Sequence, residues 1–400
     1  MSFVINFVKK MLGKIAKKGF KYCKMLVPVD EKMAIFISFH GKGYSDSPKA
    51  IYEEMLKDKR FSGYKFIWAI KHAKKKGIEV PGAKVVNYFS IPYFYYMAKA
   101  KFWIINCKMP MYISKKPNQI YLQTWHGTPL KRLGNDIEAP EGTTFYRSGM
   151  SFESMAKSYE IDAERYNYMV SPNEFSTEVF QSAFLVKREK MIETGYPRND
   201  FIVNADEKIC REIKRKYGIP EDKKVVLYAP TWRDNSFDLS GYVFELEADF
   251  FKWKEILGEE YVLVFKPHYL IVNKYTDVKG LEGFLYNIPA EVDISELYVI
   301  SDMLVTDYSS VFFDYSVLGR PIYFYMYDLA AYKDELRGFY LDIYTDLPGK
   351  IYESEEEMLI AMKAEKFDYT CLEKFNERFN KFHTGDCSKK VLDILAKHID

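Results

Sequence analysis

The stretch DMLVTDYSSVFFDYSVLGRPIYFYMYD, residues 302–328, holds the pattern on which the fold turns. An apolar run ends at Thr306–Tyr308, Ser309 stands where a helix N-cap belongs, and VFFDYSVL continues as a helix. Gly319 closes that helix, and Arg320-Pro321 leads into a second apolar run. Two uninterrupted apolar runs joined through a helix read as parallel strands buried on both faces.

Outward from this stretch the same alternation recurs. MAIFISF, YKFIWAI, KVVNYF, FWIIN, IYLQTW, YNYMVS and KMIETG precede it in the first half, and KKVVLYAPTW, YVLVFKPH and FLYNIP in the second. The expected class is α/β with doubly wound parallel sheets. A chain of 400 residues exceeds the size at which one core keeps growing, so two domains are expected. TGYPRNDFIVNADEK, residues 194–208, offers a boundary: a strand closes in Gly-Tyr-Pro and a charged helix follows. The division is 1–30 for an N-terminal helix, 31–198 for the first domain and 199–400 for the second.

The N-terminal segment is a compositional outlier, with seven lysines and no acid before Asp30. At 100° per residue, Val4, Val8, Met11, Leu12, Ile15, Tyr22 and Leu26 gather on one side. Lys9, Lys10, Lys14, Lys17, Lys21 and Lys24 gather on the other. A basic amphipathic helix of this kind suits an anionic membrane surface, the plainer reading being a solvated surface helix. No run of 18 apolar residues suggests a transmembrane span. The five cysteines are scattered without a CxxC pair, which suggests neither a zinc site nor a disulfide framework and fits a reducing cytoplasm. A net charge of +2 argues against a nucleic-acid binder.

Polar residues cluster where the apolar runs end. His126 follows IYLQTW, Thr231 and Arg233 follow VVLYAP, Lys266 and His268 close VLVFKPH, and Asp307, Ser309 and Ser310 follow MLVT. Ligands of open parallel sheets bind at those carboxyl ends, so four polar strand ends suggest one composite site. Backbone N–H groups and hydroxyls at Ser309 and Ser310 suit phosphate oxygens, although such a pair also serves as a plain cap. Asp307 and Asp314 fit either ribose hydroxyls or a structural task. Arg233, Lys266 and His268 can neutralise a pyrophosphate.

In QTWHGTPLKRLG, residues 123–134, His126 can take a proton near neutral pH and Gly127 permits close backbone approach. Thr128 extends the same turn, and Lys131 and Arg132 can hold an anion. His40, in SFHGKGYSDSPK, is a weaker candidate. There is no GxGxxG, P-loop, GxSxG or HExxH motif, and no DxD pair to chelate a metal, so side chains and helix dipoles are expected to neutralise charge without one.

TWHGTPLK, GYPRND, YAPTWR, FKPH and TDYSSVFFDY, in that order, resemble the CDP-glycerol glycerophosphotransferase family of teichoic acid synthesis. The resemblance implies a GT-B fold, two Rossmann-like domains facing a cleft, and a peripheral place on the cytoplasmic membrane face. It implies transfer of glycerol or ribitol phosphate from CDP-glycerol or CDP-ribitol to a lipid-linked acceptor, with release of CMP and no tightly bound cofactor. His126 takes the part of general base, and His268 contacts the pyrophosphate and steadies the departing CMP. Ser309, Ser310 and Arg233 face the donor phosphates. The alternatives are a GT-B glycosyltransferase using a sugar nucleotide and a non-catalytic membrane scaffold.

Overall fold

The structure, a computed structural model, describes residues 17–138, 150–231, 247–266, 279–289, 292–330 and 338–399, with the backbone alone at 144–145, 237–238 and 241–242. It divides into two compact units. One comprises Met1–His126, Leu133–Arg198 and Asp386–Asp400; the other comprises Gly127–Arg132 and Asn199–Gly385.

The sheet of the first unit uses β1 (Asp30–Ile37), β2 (Lys65–Ile70), β3 (Ala83–Asn87), β4 (Ala100–Ile105) and β5 (Ile120–Gln123). A short antiparallel pair, β6 (Thr144–Phe145) and β7 (Met150–Ser151), precedes β8 (Tyr168–Ser171) and β9 (Met191–Glu193). The seven-stranded order is β3-β2-β1-β4-β5-β8-β9, and every pairing is parallel. β1 buries its last five residues in succession, as a strand covered on both faces must. Trp68 stacks on Phe36 at 5.3 Å with Tyr52 edge-on to both, all three fully buried. Burial of each such ring is worth about 2–3 kcal/mol, and truncating Trp68 to alanine removes about 3–5 kcal/mol. The C-terminal helix, Cys387–Leu395, belongs to this unit and packs on the helix Asp46–Lys57.

The second unit carries β10 (Lys224–Ala229), the antiparallel pair β11 (Phe237–Asp238) and β12 (Gly241–Tyr242), then β13 (Tyr261–Phe265), β14 (Leu285–Asn287), β15 (Met303–Thr306), β16 (Ile322–Tyr325) and β17 (Ile351–Tyr352). Its six-stranded order is β14-β13-β10-β15-β16-β17, again all parallel. Trp253, Tyr228 and Phe265 centre the core on one face of this sheet. The stretch 302–328 folds as β15, a short helix Val311–Tyr315, a 3-10 turn Ser316–Leu318, a left-handed Gly319 at φ +65° and then β16. Ser310, not Ser309, is the N-cap of that helix.

Residues 17–26 are helical. Phe20 is buried against Phe94, while Tyr22, Met25 and Leu26 are exposed. Lys24 reaches Ser114 Oγ at 2.8 Å. Val4, Val8, Lys9, Lys10, Met11, Leu12, Lys14 and Ile15 lie outside the described residues. Among those described, no helix is long and apolar enough to cross a membrane.

Candidate active site

Both sheets place their first strand between the second and the fourth, so each has a switch point where neighbouring connections leave in opposite directions and open a crevice. In the first unit this point lies between β1 and β4, and in the second between β10 and β15. The polar strand ends of the sequence fall at or beside these two places.

At the end of β1 the chain enters a left-handed turn through Phe39 (φ 45°), His40 (φ 56°) and Gly41 (φ 80°). Two of the three are not glycine, and such residues hold this conformation only where the surroundings over-determine it. Asn106 Oδ1, at the end of β4, accepts from Phe39 N at 2.7 Å, and Cys107 Sγ accepts from His40 N at 3.2 Å. Gly41 has no alternative, because a Cβ there would stand 2.8 Å from Tyr88.

His126 follows β5, the next strand over. Its Nδ1 lies 2.6 Å from Asn106 O. A carbonyl only accepts, so Nδ1 carries the hydrogen and the neutral ring keeps its lone pair on Nε2. The ring is flanked by Trp125 at 4.3 Å and Phe39 at 5.6 Å, which limits its rotation, and it retains solvent-accessible surface. Crowding by protein lowers its pKa below the ordinary 6.5; the Asn106 contact and Asp46 act the other way, and Arg198 and Lys42 lower it again. Crowding penalises the charged ring, whereas reach by a substrate depends on the surface that stays open.

A buried polar network lies at the ends of β4 and β5, just before His126 in the chain. Gln123, fully buried, accepts from Trp125 N through Oε1 at 3.0 Å and donates through Nε2 to Cys107 O at 3.2 Å. One amide therefore ties the end of β5 to the end of β4. Trp125 holds φ 51°, and Gln123 is the group that accepts from its amide. Asp162 Oδ2 accepts from Met109 N and Tyr166 OH, each at 2.9 Å, and burial pushes this carboxyl up to about 6. Asp46 (φ 63°) opens the helix Asp46–Lys57 and pairs with Arg198 at 3.3 Å.

At the second switch point Asp307 Oδ1 accepts from both Thr231 N at 2.8 Å and Thr231 Oγ1 at 2.7 Å. Thr306 Oγ1 adds a bond to Ala229 O at 2.8 Å. Asp307 thus clasps the two strand ends together. Ser309 Oγ accepts from Val311 N at 3.4 Å, while Ser310 makes no side-chain capping bond. A Cβ on Gly127 would lie 3.3 Å from Ser310 Oγ, so glycine brings this backbone against the serine.

Thr128 is buried, and residues 130–132 pair with 338–340: Arg132 N donates to Gly338 O and Tyr340 N to Leu130 O. Lys131 bridges to Phe339, and the Arg132 guanidinium lies 5.9 Å over the Tyr340 ring. The Lys266 side chain is buried and donates to Pro289 O, and buried Asp314 accepts from Asn199 Nδ2 at 2.9 Å. Arg233 and His268 lie outside the described residues. The second unit therefore unites Thr231 with Asp307 and Gly127 with Ser310, while Lys266 and Asp314 are engaged by other residues.

Asn106, Gln123, Asp46 and Arg198 were missed as site residues. Arg198 stands in GYPRND, and Gln123 is a lone amide in an apolar strand; both were visible signals. Asn106 meets His126 through its backbone carbonyl, which no side-chain pattern reveals. Among the described residues no cluster of His, Cys, Asp or Glu could hold a metal ion.

Two parallel-sheet α/β domains of this kind define a GT-B-like protein. The chain belongs to the CDP-Glycerol:Poly(glycerophosphate) glycerophosphotransferase family, whose model matches residues 20–397. A teichoic acid glycerol-phosphate transferase of Staphylococcus aureus (strain NCTC 8325 / PS 47) is 39% identical over 98% of this chain and 99% of its own. A teichoic acid poly(glycerol phosphate) polymerase of Bacillus subtilis (strain 168) is 39% identical over 98% of this chain and 53% of its own. The chain spans about half the length of this relative and of its Staphylococcus epidermidis counterpart. A poly(ribitol-phosphate) polymerase of Bacillus spizizenii is 26% identical. The solved structure of the wall teichoic acid polymerase TagF matches with a TM-score of 0.87 at 38% identity, covering 99% of this chain and 97% of that one.

Proposed function

We propose that this protein transfers glycerol phosphate from CDP-glycerol to a terminal hydroxyl of a lipid-linked acceptor and releases CMP. The observation that carries this reading is the Nδ1 contact of His126 with Asn106 O, which leaves Nε2 as the basic nitrogen on an accessible ring. The acceptor hydroxyl attacks the phosphorus bonded to glycerol and gives its proton to Nε2. The new P–O bond forms as the pyrophosphate P–O bond breaks, and the electron pair leaves with CMP. Ser309, Ser310, Arg233 and His268 are assigned to the donor phosphates, with His268 steadying the departing CMP.

Glycerol is favoured over ribitol because relatives named for glycerol phosphate stand near 40% identity and those named for ribitol phosphate near 26%. The exposed Tyr22, Met25 and Leu26 beside Lys17, Lys18 and Lys21 support peripheral docking on the cytoplasmic face of an anionic membrane. The test is incubation with a defined lipid acceptor and CDP-glycerol, CDP-ribitol or a UDP-sugar in turn, reading product mass and nucleotide release. CMP with a glycerol-phosphate mass increment is the expected outcome; UDP release with a sugar increment overturns the reading in favour of a sugar-nucleotide glycosyltransferase.

A further inference from the structure

The strand ends of the first unit carry more positive charge than a general base requires. β2 runs out into KHAKKKG, residues 71–77, where Lys71, His72, Lys74, Lys75 and Lys76 are all exposed. This segment is fastened to the left-handed turn after β1: Lys71 N donates to Gly41 O at 2.7 Å, and Lys76 Nζ donates to Lys42 O at 3.0 Å. Lys42 and His40 are exposed on that turn. Lys108, half-buried after β4, and His126, after β5, continue the row.

Since the sheet order is β2-β1-β4-β5, four adjacent strands end in cationic or imidazole groups. At about 4.8 Å per strand the row is roughly 14 Å long. Crowding by protein around the ring, more than the solvent exposure of the residue as a whole would suggest, followed by Lys71, His126, Lys42 and Lys108, depresses the His40 pKa to about 4. His40 is therefore neutral at pH 7, and these groups lie close enough to act on it. Asp46, the acid that follows the turn, is buried in its pair with Arg198. Like charges gathered along a line are stabilised by a partner that brings several negative charges at intervals. A hydroxyl delivered to His126 at one end of the line belongs to a molecule extending along the rest of it.

We propose that the two loops carrying His40, Lys42, Lys71, Lys74, Lys75 and Lys76 form a track for successive phosphodiesters of the acceptor, a polyol-phosphate chain whose terminal hydroxyl reaches His126. The proposal rests on the acceptor reading above and deepens it. It assigns the acceptor's polyanionic body, and not only its end, to the first unit. Affinity then rises with the number of phosphates and falls with salt.

The test is binding without donor, which separates this proposal from the chemistry. Soluble, lipid-free glycerol-phosphate oligomers of one and of about six units are titrated into the full chain by calorimetry at two salt concentrations. The partner protein is the variant Lys71→Gln/Lys74→Gln/Lys75→Gln/Lys76→Gln, whose changes are all on exposed side chains and whose fold is checked by circular dichroism. The long oligomer is expected to bind the wild type more tightly than the short one, and to lose roughly ten-fold or more in the variant along with much of its salt dependence. Equal affinity of the long oligomer for both proteins overturns the proposal. So does a variant that loses binding to phosphatidylglycerol vesicles while keeping the oligomer, since the lysines then serve a lipid surface. Failure of the wild type to release CMP in the separate turnover assay strikes the reaction and leaves this binding result standing on its own.

Discussion

The two sheets share the order 3-2-1-4-5-6, with one further strand on the first, yet their switch points are fastened by different means. In the second unit one carboxylate, Asp307, accepts from the backbone and hydroxyl of Thr231. In the first, side chains from β4 hold the amides of a left-handed turn. Among the described residues, non-glycine positions with positive φ in the first unit are Phe39, His40, Asp46, His72, Phe89, Trp125 and Leu185, against Glu365 alone in the second. Phe39 and Trp125 touch the His126 ring, and Asp46 acts on it electrostatically. Each such residue costs on the order of 1–3 kcal/mol, and three of the seven, Phe39, Trp125 and Asp46, stand around the His126 imidazole. Topology supplies a crevice twice, and among the described residues the left-handed non-glycine positions Phe39 and Trp125 stand against the imidazole of the first.

The strongest way to break this contrast is His126→Ala. If the strained turn exists to orient a base, kcat should fall roughly 10²- to 10⁴-fold with the CDP-glycerol KM little changed. The wild-type pH profile sharpens the same point. A folded pKa below 6.5 keeps Nε2 unprotonated at pH 7, so kcat/KM is full there and declines only as pH drops through that lowered value. A variant with near wild-type turnover removes His126 from the chemistry, and an acid limb centred above 6.5 contradicts the environment described here.

Next in size is Asp307→Ala, which strikes the second unit. Two donors on Thr231 lose a charged acceptor, for about 2–3 kcal/mol of stability measured by urea unfolding. Asp307→Asn keeps an acceptor oxygen and should recover most of that loss. Equal loss in both variants means that the Thr231 clasp requires the carboxylate charge and not merely an acceptor oxygen.

What the sequence made legible follows the same division. The apolar runs from MAIFISF to PIYFYMYD all became strands. In the central ones double burial demands uninterrupted hydrophobic residues and leaves a local mark, whereas the edge strands β3 and β14 are only partly buried. β17, only Ile351–Tyr352, is too short to leave one. The positions of His126, Thr231, Asp307 and Ser310 just beyond β5, β10 and β15 were readable because they stand directly after such runs. The fastenings were not. The Asp46–Arg198 pair and the Asn106 carbonyl that meets His126 depend on partners distant in the chain, and no short window of sequence contains both members. The lysines of 71–77 were in plain view, but a basic run reads as a solvated face until its loop is seen tied to the turn that bears His40.

The smallest expected effect tests whether the strain around His126 is held by the buried amide of Gln123. Gln123→Leu keeps side-chain volume and removes both bonds that join Trp125 N to Cys107 O. Stability should drop by about 1–3 kcal/mol, as for any buried polar group left without its partner. That alone marks a structural residue. A positioning role predicts in addition that kcat falls roughly ten-fold at unchanged donor KM, since a small displacement of Nε2 weakens proton transfer more than binding. It also predicts that the acid limb of the pH profile shifts upward as the ring gains hydration, since crowding is the largest cause of its lowered pKa and outweighs the Asn106 contact, whose loss acts the other way. Gln123→Glu retains an acceptor for Trp125 N and should restore part of the rate. Lowered stability with kcat and pH profile both intact would show that the strained turn orients His126 without help from the buried amide.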